Sequence, residues 1–464
     1  MPRRFVALRT PAGPSAGQVY IRCPICGESS PATALHRRAM VCPWCDGHLP
    51  LDAERHLELL VDKGAFHPLG APAGSSLFGQ ATLAGHEIAL ALADPTALWT
   101  PAECRALLAL AEVARRERHP LVWVATAAQG ATPALWPGLQ AALQALHQVA
   151  VPWLTLVAGP CYGSMAALAL QSDLVLAEPG AFLDPLLPAM RRQAGLAPEP
   201  LHRPRQLLRA GWADAVLPRS EQRAGLALLL DLLLAPGPSR PRGARRLPQP
   251  EVPAQLQALF GPFFELHGDR RAGDDPTLVG GLGRLREDGR TVVVLAALSR
   301  KAIGAAGWRK AARLLGLAGR LGLPVVTLID RPVLRASRSE APGETATALG
   351  ETLQALLDVP TPTIAVILGD DEGLAMQVLG TADGLLCSAT VASRRQDRPT
   401  PDATFDHERD LPGLLARHLE ELTQTYVIHG PLGRRKLLQR RYIRWIRPAQ
   451  SEMDQPEYAT GEQS

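Results

Sequence analysis

The sequence predicts a layered α/β protein with two similar domains behind a small cysteine-rich module. Four of the seven cysteines lie between residues 23 and 45, and short apolar runs alternate with helical stretches from residue 81 onward. A stretch rich in proline and arginine separates two halves that both show this alternation. A chain of 464 residues is too long for one ordinary core, which favours several domains.

The bulk composition is that of a soluble globular protein. Apolar residues make up 46% and charged residues 20% of the chain, which excludes disorder of the whole chain. The net charge of +4 is small for this length, so a dedicated nucleic-acid binder is not favoured. The basic N-terminus continues into Pro11, Gly13 and Pro14 instead of an apolar segment, and no span offers the ~18 apolar residues of a membrane helix. We therefore expect a cytoplasmic protein that does not bind membranes.

The cysteine-rich module has the spacing of a zinc ribbon. Cys23 and Cys26 form one Cys-x2-Cys pair, and Cys42 and Cys45 form a second pair after fifteen intervening residues. Two such turns bring four thiolates around one ion in a tetrahedral shell, which is typical of zinc. Two disulfides are the alternative, and a reducing cytoplasm disfavours them. Because sulfur fills all four positions, the predicted zinc is structural and not catalytic.

The first half after the ribbon predicts an amphipathic helix and then an α/β layer. Residues Leu51–Lys63 place apolar side chains on one helical face, and Gly64 ends the helix. The further elements are strands at His86–Leu92, Leu121–Thr126, Trp153–Ala158 and Leu174–Ala177, and helices at Pro101–Glu117 and Trp136–Gln148.

The second half repeats this order after an exposed linker at Ala235–Pro250. The segment Val151–Val157 resembles Leu323–Ile329, which indicates an internal duplication. The predicted elements are strands at Thr291–Ala297, Pro324–Asp330 and Thr363–Leu368, and helices at Ala305–Leu321 and Thr345–Leu357. The predicted domains are the ribbon with its N-terminal extension (1–50), a first α/β domain (51–234), the linker (235–250), a second α/β domain (251–430) and a basic C-terminal helix and tail (431–464).

Several stretches resemble the carboxyltransferase of bacterial acetyl-CoA carboxylase. Residues 21–66 and Ala158–Pro179 are similar to its β subunit, whereas Phe264–Leu285, Gly307–Asp330 and Arg434–Trp445 are similar to its α subunit. The likeness runs through most of the chain in the order β then α, which suggests a fusion of the two subunits. It implies a fold of two crotonase-like domains of the ClpP/crotonase superfamily behind the zinc ribbon.

The resemblance also implies an activity and its partners. The family moves CO2 from carboxybiotin on a carrier protein to acetyl-CoA and forms malonyl-CoA, the precursor of fatty acids and polyketides. A biotin carboxylase and a biotin carboxyl carrier protein are the implied partners, biotin is supplied by the carrier, a CoA thioester is the substrate, and a homodimer is expected. Since negative charge develops on oxygen during the transfer, backbone N–H donors at helix starts matter more than a catalytic triad.

The resemblance places the candidate donors in three turns. Gly130, Gly163 and Ser164 are the expected backbone oxyanion donors on the acyl-CoA side, and Gly373 lies in the turn expected to face biotin. Around them the sequence departs from the family: Gln129 stands where its first glycine is expected, and Thr132 replaces its arginine. Asp370, Asp371 and Glu372 precede Gly373 and are expected to repel an anion, and Leu374 and Met376 are expected to crowd the approach.

These departures leave two further functions open. One is a crotonase-type decarboxylase or carboxyltransferase that acts on another acyl-CoA or acyl-carrier substrate. The other is a non-catalytic pseudo-subunit that keeps the fold and the interface.

Other chemistry-bearing residues favour structural roles. Cys161 is more readily a buried apolar group than a nucleophile. The glycines of Gly280–Gly283 predict a turn between strands and not a phosphate loop, because the Lys-Ser/Thr of a P-loop is missing. His267, Asp269 and Asp274 could suggest a metal site, but the family likeness favours a structural stretch.

The basic C-terminal run predicts a helix that packs on the protein. Leu437, Leu438, Ile443 and Ile446 are expected to point inward, and the arginines to face solvent or another subunit. The alternatives are arginines that bind the phosphates of CoA and a nucleic-acid surface with Tyr442 and Trp445 as stacking groups.

Overall fold

The computed structural model describes most of the chain in two compact units. The described residues are 19–70, 74–96, 98–127, 138, 141, 145, 151–196, 206–234, 252–271, 273–330, 342–369, 373–393 and 400–446. Among the described residues, those up to Leu230 belong to the first unit and those from Asp231 onward to the second. The predicted linker at 235–250 and most of the predicted helix Trp136–Gln148 lie outside the described residues.

The N-terminal ribbon is a small module built around the cysteines. Its strands β1 (Tyr20–Arg22) and β2 (Ser29–Pro31) pair antiparallel, and helix α1 (Ala32–Arg37) follows. Two of the cysteines pack with two leucines into a separate buried cluster, whose members are Cys23, Leu35, Cys42 and Leu49. This apolar cluster is small for a module that folds separately from the main cores.

The rest of the first unit is one sheet with helices. Its elements are α2 (Ala53–Leu60), β3 (Phe66–Pro68), β4 (Leu77–Leu83), β5 (His86–Leu92), α3 (Pro101–Glu117), β6 (Leu121–Ala127), β7 (Trp153–Tyr162), α4 (Ser164–Leu170), β8 (Leu174–Ala177), β9 (Phe182–Asp184), α5 (Pro188–Gln193), α6 (Gln206–Arg209), β10 (Ala215–Val216) and α7 (Arg219–Leu234). The predicted bounds of β5, α3 and β8 are confirmed. Helix α2 is shorter than predicted, because Asp52 caps its start and Val61 already has an extended backbone.

The first sheet joins an antiparallel edge to parallel strands. Its order is β10-β8-β7-β6-β5-β4-β3, and β9 pairs with the end of β7. The pairs β3–β4 and β4–β5 are antiparallel, whereas β5, β6, β7, β8 and β10 are parallel to one another. Helix α3 packs on this sheet and starts with a capping box, in which Glu103 accepts the backbone N–H of Thr100 at 2.9 Å. Its C-terminal residue Arg118 has a left-handed backbone (φ 59°).

The second unit repeats this architecture. Its elements are α8 (Ala254–Leu259), β11 (Phe260–Glu265), β12 (Leu278–Leu285), β13 (Thr291–Ala297), α9 (Ala305–Leu321), β14 (Val325–Ile329), α10 (Pro342–Asp358), β15 (Thr363–Ile367), α11 (Leu374–Leu379), β16 (Gly384–Ser388), α12 (Ala389–Ala392), β17 (Ala403–Phe405), α13 (Leu411–Leu422) and α14 (Gly430–Trp445). The sheet order is β11-β12-β13-β14-β15-β16-β17. Again the first two pairings, β11–β12 and β12–β13, are antiparallel and the others are parallel.

The ordered strands of each sheet occupy seven positions, numbered from β3 in the first sheet and from β11 in the second. In both sheets an aspartate precedes the strands at equivalent positions. Position five is β7 in the first sheet and β15 in the second, and position six is β8 or β16. In each unit an aspartate before positions six and seven accepts a backbone N–H of the preceding strand. These bonds are Trp153 N–H to Asp173 Oδ2 (2.7 Å), Thr363 N–H to Asp383 Oδ2 (2.9 Å), Val175 N–H to Asp214 Oδ2 (2.7 Å) and Leu385 N–H to Asp402 Oδ2 (2.7 Å). The same device at the same positions supports the duplication.

The two similar segments that suggested the duplication belong to strands at different positions in the two sheets. Val151–Val157 leads into β7, whereas Leu323–Ile329 leads into β14, whose equivalent is β6. The segments resemble each other because a proline precedes each of β6, β7, β14 and β15. The carbonyl of this proline accepts a hydrogen bond from the neighbouring strand. The bonds are Ala89 N–H to Pro120 O (2.9 Å), Leu121 N–H to Pro152 O (2.9 Å), Val293 N–H to Pro324 O (2.8 Å) and Val325 N–H to Pro362 O (2.9 Å).

None of the helices in the described ranges combines the length and the apolar character that a bilayer crossing requires.

Candidate functional site

The four ribbon cysteines form one cluster. Cys23 Sγ lies 3.7 Å from Cys45 Sγ, Cys26 Sγ lies 3.8 Å from Cys42 Sγ, and all four sulfurs lie within 4.8 Å of one another. A tetrahedral zinc shell with bonds of about 2.3 Å has sulfur–sulfur edges of about 3.8 Å, whereas a disulfide needs about 2.05 Å. The sulfur spacing therefore fits a bound ion and excludes disulfides.

The two Cys-x2-Cys turns, Cys23–Cys26 and Cys42–Cys45, are the first and second cysteine knuckles, and their backbone supports thiolate ligands. Burial raises the pKa of the Cys23 thiol against the lowering effect of the nearby amides of Cys26 and Ile25, whereas at Cys42 the amides of Trp44 and Cys45 help to lower the pKa in spite of burial. Such N–H donors stabilise negative charge on sulfur and fix the direction of the ligands. The residues present would hold zinc without further rearrangement.

A buried polar cluster fixes the ribbon to the first sheet. Glu178 follows β8, and its carboxylate is paired with Arg219, the first residue of α7, through bonds of 2.8 Å from Nε and 2.9 Å from the guanidinium NH2 group. Gln222 Nε2 donates to Glu178 Oε1 at 2.8 Å, and His48 Nδ1 and His56 Nε2 lie 3.2 Å and 3.7 Å from the carboxylate oxygens. We call Glu178, Arg219, Gln222, His48 and His56 the Glu178 cluster.

The carboxylate of Glu178 stays ionised although it is buried. Burial alone would raise the pKa of Glu178, but its contacts with His48 and His56 and the positive charge of Arg219 outweigh the burial. The pKa of Glu178 is therefore well below its ordinary range.

The turn after β7 carries two of the predicted oxyanion donors. Gly163 has φ 66°, a left-handed backbone that favours glycine, and it precedes α4. Its N–H donates to Asp184 O at 2.8 Å, so this amide is already engaged, and the prediction of Gly163 as a donor to the substrate does not fit this arrangement. Ser164 is the first residue of α4, so its N–H has no acceptor within the helix. Of the two predicted donors at this turn, Ser164 has the suitable position.

The turn after β15 occupies the equivalent position in the second unit. Gly369 is fixed by its surroundings, because a Cβ there would lie 1.6 Å from Asp330 O. Gly373 precedes α11 with φ −83° and ψ −178°, a backbone that any residue adopts. Leu374 is exposed, whereas the side chain of Met376 is buried in the core. Met376 therefore does not crowd the approach to this turn, contrary to the prediction.

The remaining predicted site residues lie outside the described residues. These are Gly130 with its neighbours Gln129 and Thr132, and the acidic run of Asp370, Asp371 and Glu372. Their roles stay predictions.

Comparison with known proteins decides the family. A family model described as acetyl co-enzyme A carboxylase carboxyltransferase-like matches residues 239–387. The acetyl-coenzyme A carboxylase carboxyl transferase subunits beta/alpha of Salinispora arenicola is 32% identical in an alignment of 457 positions that covers 81% of this chain and 80% of that protein. This chain belongs to the acetyl-CoA carboxylase carboxyltransferase family. The Saccharopolyspora erythraea protein with the same subunit name is 29% identical and covers 83% of this chain. The family predicted from the sequence is confirmed.

Solved structures agree on the fold. Transcarboxylase 12S, in a crystal structure that describes a hexamer with hydrolysed methylmalonyl-CoA bound, has a TM-score of 0.65, 16% identity and coverage of 81% of this chain and 90% of that chain. A single-chain, multi-domain long-chain acyl-CoA carboxylase has a TM-score of 0.59, 18% identity and coverage of 83% and 47%. At these identities the likeness concerns the fold alone, and it confirms the predicted α/β class of this carboxyltransferase family member.

The buried Cys161 and the glycine run have structural roles. Burial raises the pKa of the Cys161 thiol, so this sulfur stays protonated and is a poor nucleophile. The glycines lie inside β12 and not in a turn, which corrects the prediction. A Cβ at Gly281 would lie 2.7 Å from Phe263 Cζ, and a Cβ at Gly283 would lie 2.7 Å from Phe260 Cδ1. The glycines make room for the aromatic rings of β11.

His267, Asp269 and Asp274 form ion pairs instead of a metal site. His267 Nδ1 lies 2.9 Å from Asp274 Oδ2, and Lys310 Nζ donates to Asp274 Oδ1 at 2.8 Å. Arg309 Nε donates to Asp269 Oδ2 at 2.7 Å. Burial alone would raise the pKa of Asp274, but His267 and Lys310 lower it below its ordinary range. Among the described residues the cysteines are the one group with metal-ligand geometry.

The C-terminal helix α14 packs through an arginine that the sequence pattern assigned to the outside. Arg441 is fully buried and pairs with both oxygens of Asp383, at 3.0 and 2.6 Å. Leu437 is buried as predicted, whereas Ile443 is 44% exposed, contrary to the prediction. Trp445 donates its Nε1–H to Ala382 O at 2.8 Å and so faces the protein.

The buried side of α14 lies at the amino end of the second sheet. Asp383 directly precedes β16, whereas the candidate turn follows the carboxyl end of β15. A strand of five residues is roughly 16 Å long, so Arg441 lies far from this turn. Contact with CoA phosphates stays a prediction for the exposed arginines of α14, Arg434 and Arg435.

Proposed function

We propose that this chain is the carboxyltransferase component of an acetyl-CoA carboxylase-like system. It would move the carboxyl group of carboxybiotin, carried on a partner protein, to the methyl carbon of acetyl-CoA and so form malonyl-CoA. The observation that carries the proposal is the likeness to beta/alpha carboxyl transferase subunits over 81% of the chain. The match spans both units in the order β then α, so one polypeptide supplies the parts of both subunits.

The chemistry asks the protein for charge stabilisation on the thioester oxygen. Carboxybiotin supplies the CO2 and, after losing it, the base for the methyl proton. Loss of that proton places negative charge on the thioester oxygen, where a backbone N–H is a strong donor in a site without water. Ser164 N–H at the start of α4 is the proposed donor, and Gly130 N–H is the proposed second one. The turn at Gly373 is proposed to face biotin, since it is the topological equivalent of the Gly163–Ser164 turn.

The ribbon is proposed to hold one structural zinc ion through Cys23, Cys26, Cys42 and Cys45. The sulfur spacing supports this, because a tetrahedral zinc shell has the same edges of about 3.8 Å. Four sulfur ligands leave no position for a substrate, so zinc would stabilise the ribbon and take no part in the transfer.

The wider setting is proposed from the family. A biotin carboxylase would charge the carrier protein, a homodimer would be the working form, and the cytoplasm would be the compartment. We also propose that the ribbon, the first α/β domain, the linker and the second α/β domain end at residues 50, 234, 250 and 430.

A malonyl-CoA assay in the reverse direction tests the function. Purified chain is mixed with malonyl-CoA, with and without biotinyl-lysine, and loss of malonyl-CoA is followed by chromatography. Loss that requires biotinyl-lysine is the expected result. Loss without it would instead indicate a decarboxylase, and no loss with either mixture would indicate a non-catalytic subunit.

A pair of substitutions at Ser164 tests the role of its amide. Ser164→Pro removes the N–H at the first helical position, where proline is well tolerated. Ser164→Ala keeps the N–H and is the matched control. We expect a fall in kcat of roughly 100-fold for Ser164→Pro, in the range for loss of one oxyanion donor, and little change for Ser164→Ala. Equal activity of the two variants would contradict the assignment.

A further inference from the structure

The Glu178 cluster touches the second cysteine knuckle from both sides. Arg219 donates to the carbonyls of Ala39 (2.7 Å) and Met40 (3.3 Å), which precede Cys42, and to Leu49 O (2.7 Å), which follows Cys45. Ala39 and Met40 have left-handed backbones, with φ of 50° and 61°, which these residue types seldom adopt. Their carbonyls reach one guanidinium because of this backbone, so the knuckle and Arg219 hold each other in place.

The same cluster connects to the turn at Gly163 through a short segment. Glu178 N–H donates to Val157 O at 2.9 Å, and Glu178 O accepts the N–H of Ala181 at 2.9 Å. Strand β9 begins at the next residue and pairs with the end of β7, with Asp184 opposite Tyr162. Asp184 O then holds the N–H of Gly163. Only this short segment of chain separates the cluster from the turn that starts α4.

Charge and burial make this connection stiff. The side chains of Glu178 and Arg219 are only 2% and 1% exposed. A buried carboxylate cannot give up its partner without a large cost, so Glu178 follows any movement of Arg219. Arg219 in turn loses three carbonyl acceptors if the ribbon unfolds. Without an ion, the described part of the ribbon has a small apolar cluster of four buried residues, with Ile21 and Met40 packed against it, to keep it folded.

We propose that Glu178 is a positioning residue that couples the ribbon to the acyl-CoA turn. With an ion in the ribbon, the Arg219–Glu178 pair holds β9, and β9 holds Gly163 and hence the N–H of Ser164 in the place that the thioester oxygen requires. Loss of the ion releases the turn. The acyl-CoA part of this inference rests on the proposed function, whereas the coupling between ribbon and turn does not.

Hydrogen exchange of the full-length chain tests the coupling without any activity. Wild-type protein is measured by mass spectrometry as purified, after treatment with a chelator, and after re-addition of zinc. We expect chelation to speed exchange at residues 163–166 by at least about fivefold, zinc to restore protection, and exchange at residues 291–297 of the second unit to stay unchanged. Faster exchange confined to residues 19–49 would overturn the proposal.

Variants separate positioning from general stability. Glu178→Gln keeps the shape of the side chain but not its charge, and we expect exchange at residues 163–166 to be fast even with zinc present. Asp383→Asn, the loss of a buried, arginine-paired carboxylate in the second unit, is the matched control and is expected to leave that exchange unchanged. If Glu178→Gln does not fold, Gln222→Ala removes a single bond to the same carboxylate and is expected to act in the same direction.

Steady-state kinetics then link the turn to the substrate. In Glu178→Gln we expect the kcat for malonyl-CoA to fall at least about fivefold, because a displaced Ser164 N–H stabilises the transition state less well, while the KM for biotinyl-lysine stays the same. An active Glu178→Gln enzyme with an unchanged kcat for malonyl-CoA would refute the positioning role and leave the proposed function standing. An inactive wild type with zinc-dependent exchange at residues 163–166 would refute the proposed function and leave the coupling standing.

Discussion

Replacing Arg441 by methionine should strongly destabilise the second unit. The guanidinium is fully buried, donates two bonds to Asp383, and donates to the carbonyls of Leu356 (2.5 Å), Val359 (2.9 Å) and Thr361 (3.1 Å). Methionine fills a similar volume but leaves Asp383 as a buried charge without its cation. Removal of one partner of a buried pair costs about 3–5 kcal/mol. For a unit of this size each kcal/mol lowers Tm by about 2–4 °C, so the expected fall is roughly 6–20 °C.

Differential scanning calorimetry measures this effect, with Arg435→Met as the control. Arg435 is exposed on the same helix, and its replacement should change the free energy of unfolding by less than about 0.5 kcal/mol. The double variant Arg441→Met with Asp383→Asn removes the lone charge and should recover at least about 1 kcal/mol relative to the sum of the single variants. A fall in Tm below about 2 °C for Arg441→Met, or strict additivity in the double variant, would show that the pair does not carry the stability of this helix.

Three further predictions concern the ribbon, the strands and acid stability. Purified chain should contain about one zinc per molecule by elemental analysis, and Cys26→Ser should lower this content, whereas an equal zinc content in both proteins would argue against the four-sulfur site. Gly281→Ala should destabilise the chain in urea unfolding, because its Cβ would lie 2.4 Å from Phe264 O, whereas Gly316→Ala in α9 has open space and should stabilise it by about 0.5–1 kcal/mol; the reverse order would refute the packing explanation. The pKa of Glu178 is lowered from its ordinary value of 4.5, so its contribution to stability is complete above that pH and is lost as the pH falls below it. The wild type should therefore lose stability on acidification more steeply than Glu178→Gln, and parallel curves of unfolding midpoint against pH would contradict this.

Local signals predicted the regular elements well. Strand β13 is a run of apolar and β-branched residues buried on both faces, and its predicted bounds Thr291–Ala297 are the observed ones. Helix α9 was predicted at Ala305–Leu321 and is observed there, since Gly322 ends it with a left-handed backbone (φ 72°). The cysteine spacing likewise predicted the sulfur cluster, because each pair needs only one tight turn. These features depend on neighbours in sequence.

The residues that the sequence placed wrongly depend on partners far away in the chain. Arg441 follows the pattern of a solvated helix face, and its buried position depends on Asp383 and on carbonyls at and just after the end of α10. The glycines of β12 were predicted as a turn because small residues commonly form turns, but their size is set by the rings of Phe260 and Phe263 on the next strand. The Arg219–Glu178 pair gave no local signal, since the contacts of Arg219 with the ribbon join segments 170 to 180 residues apart.

The distance between Arg219 and the ribbon also sets an order of events during synthesis. Arg219 lies 170 residues after Leu49, whose carbonyl it binds. At about 5–20 residues per second, a ribosome needs roughly 10–30 s to make the intervening chain. During that interval the four thiols are already synthesised but lack the guanidinium that later holds the second knuckle. The four thiols are therefore available to a metal ion, and open to oxidation, before Arg219 has been added to the chain.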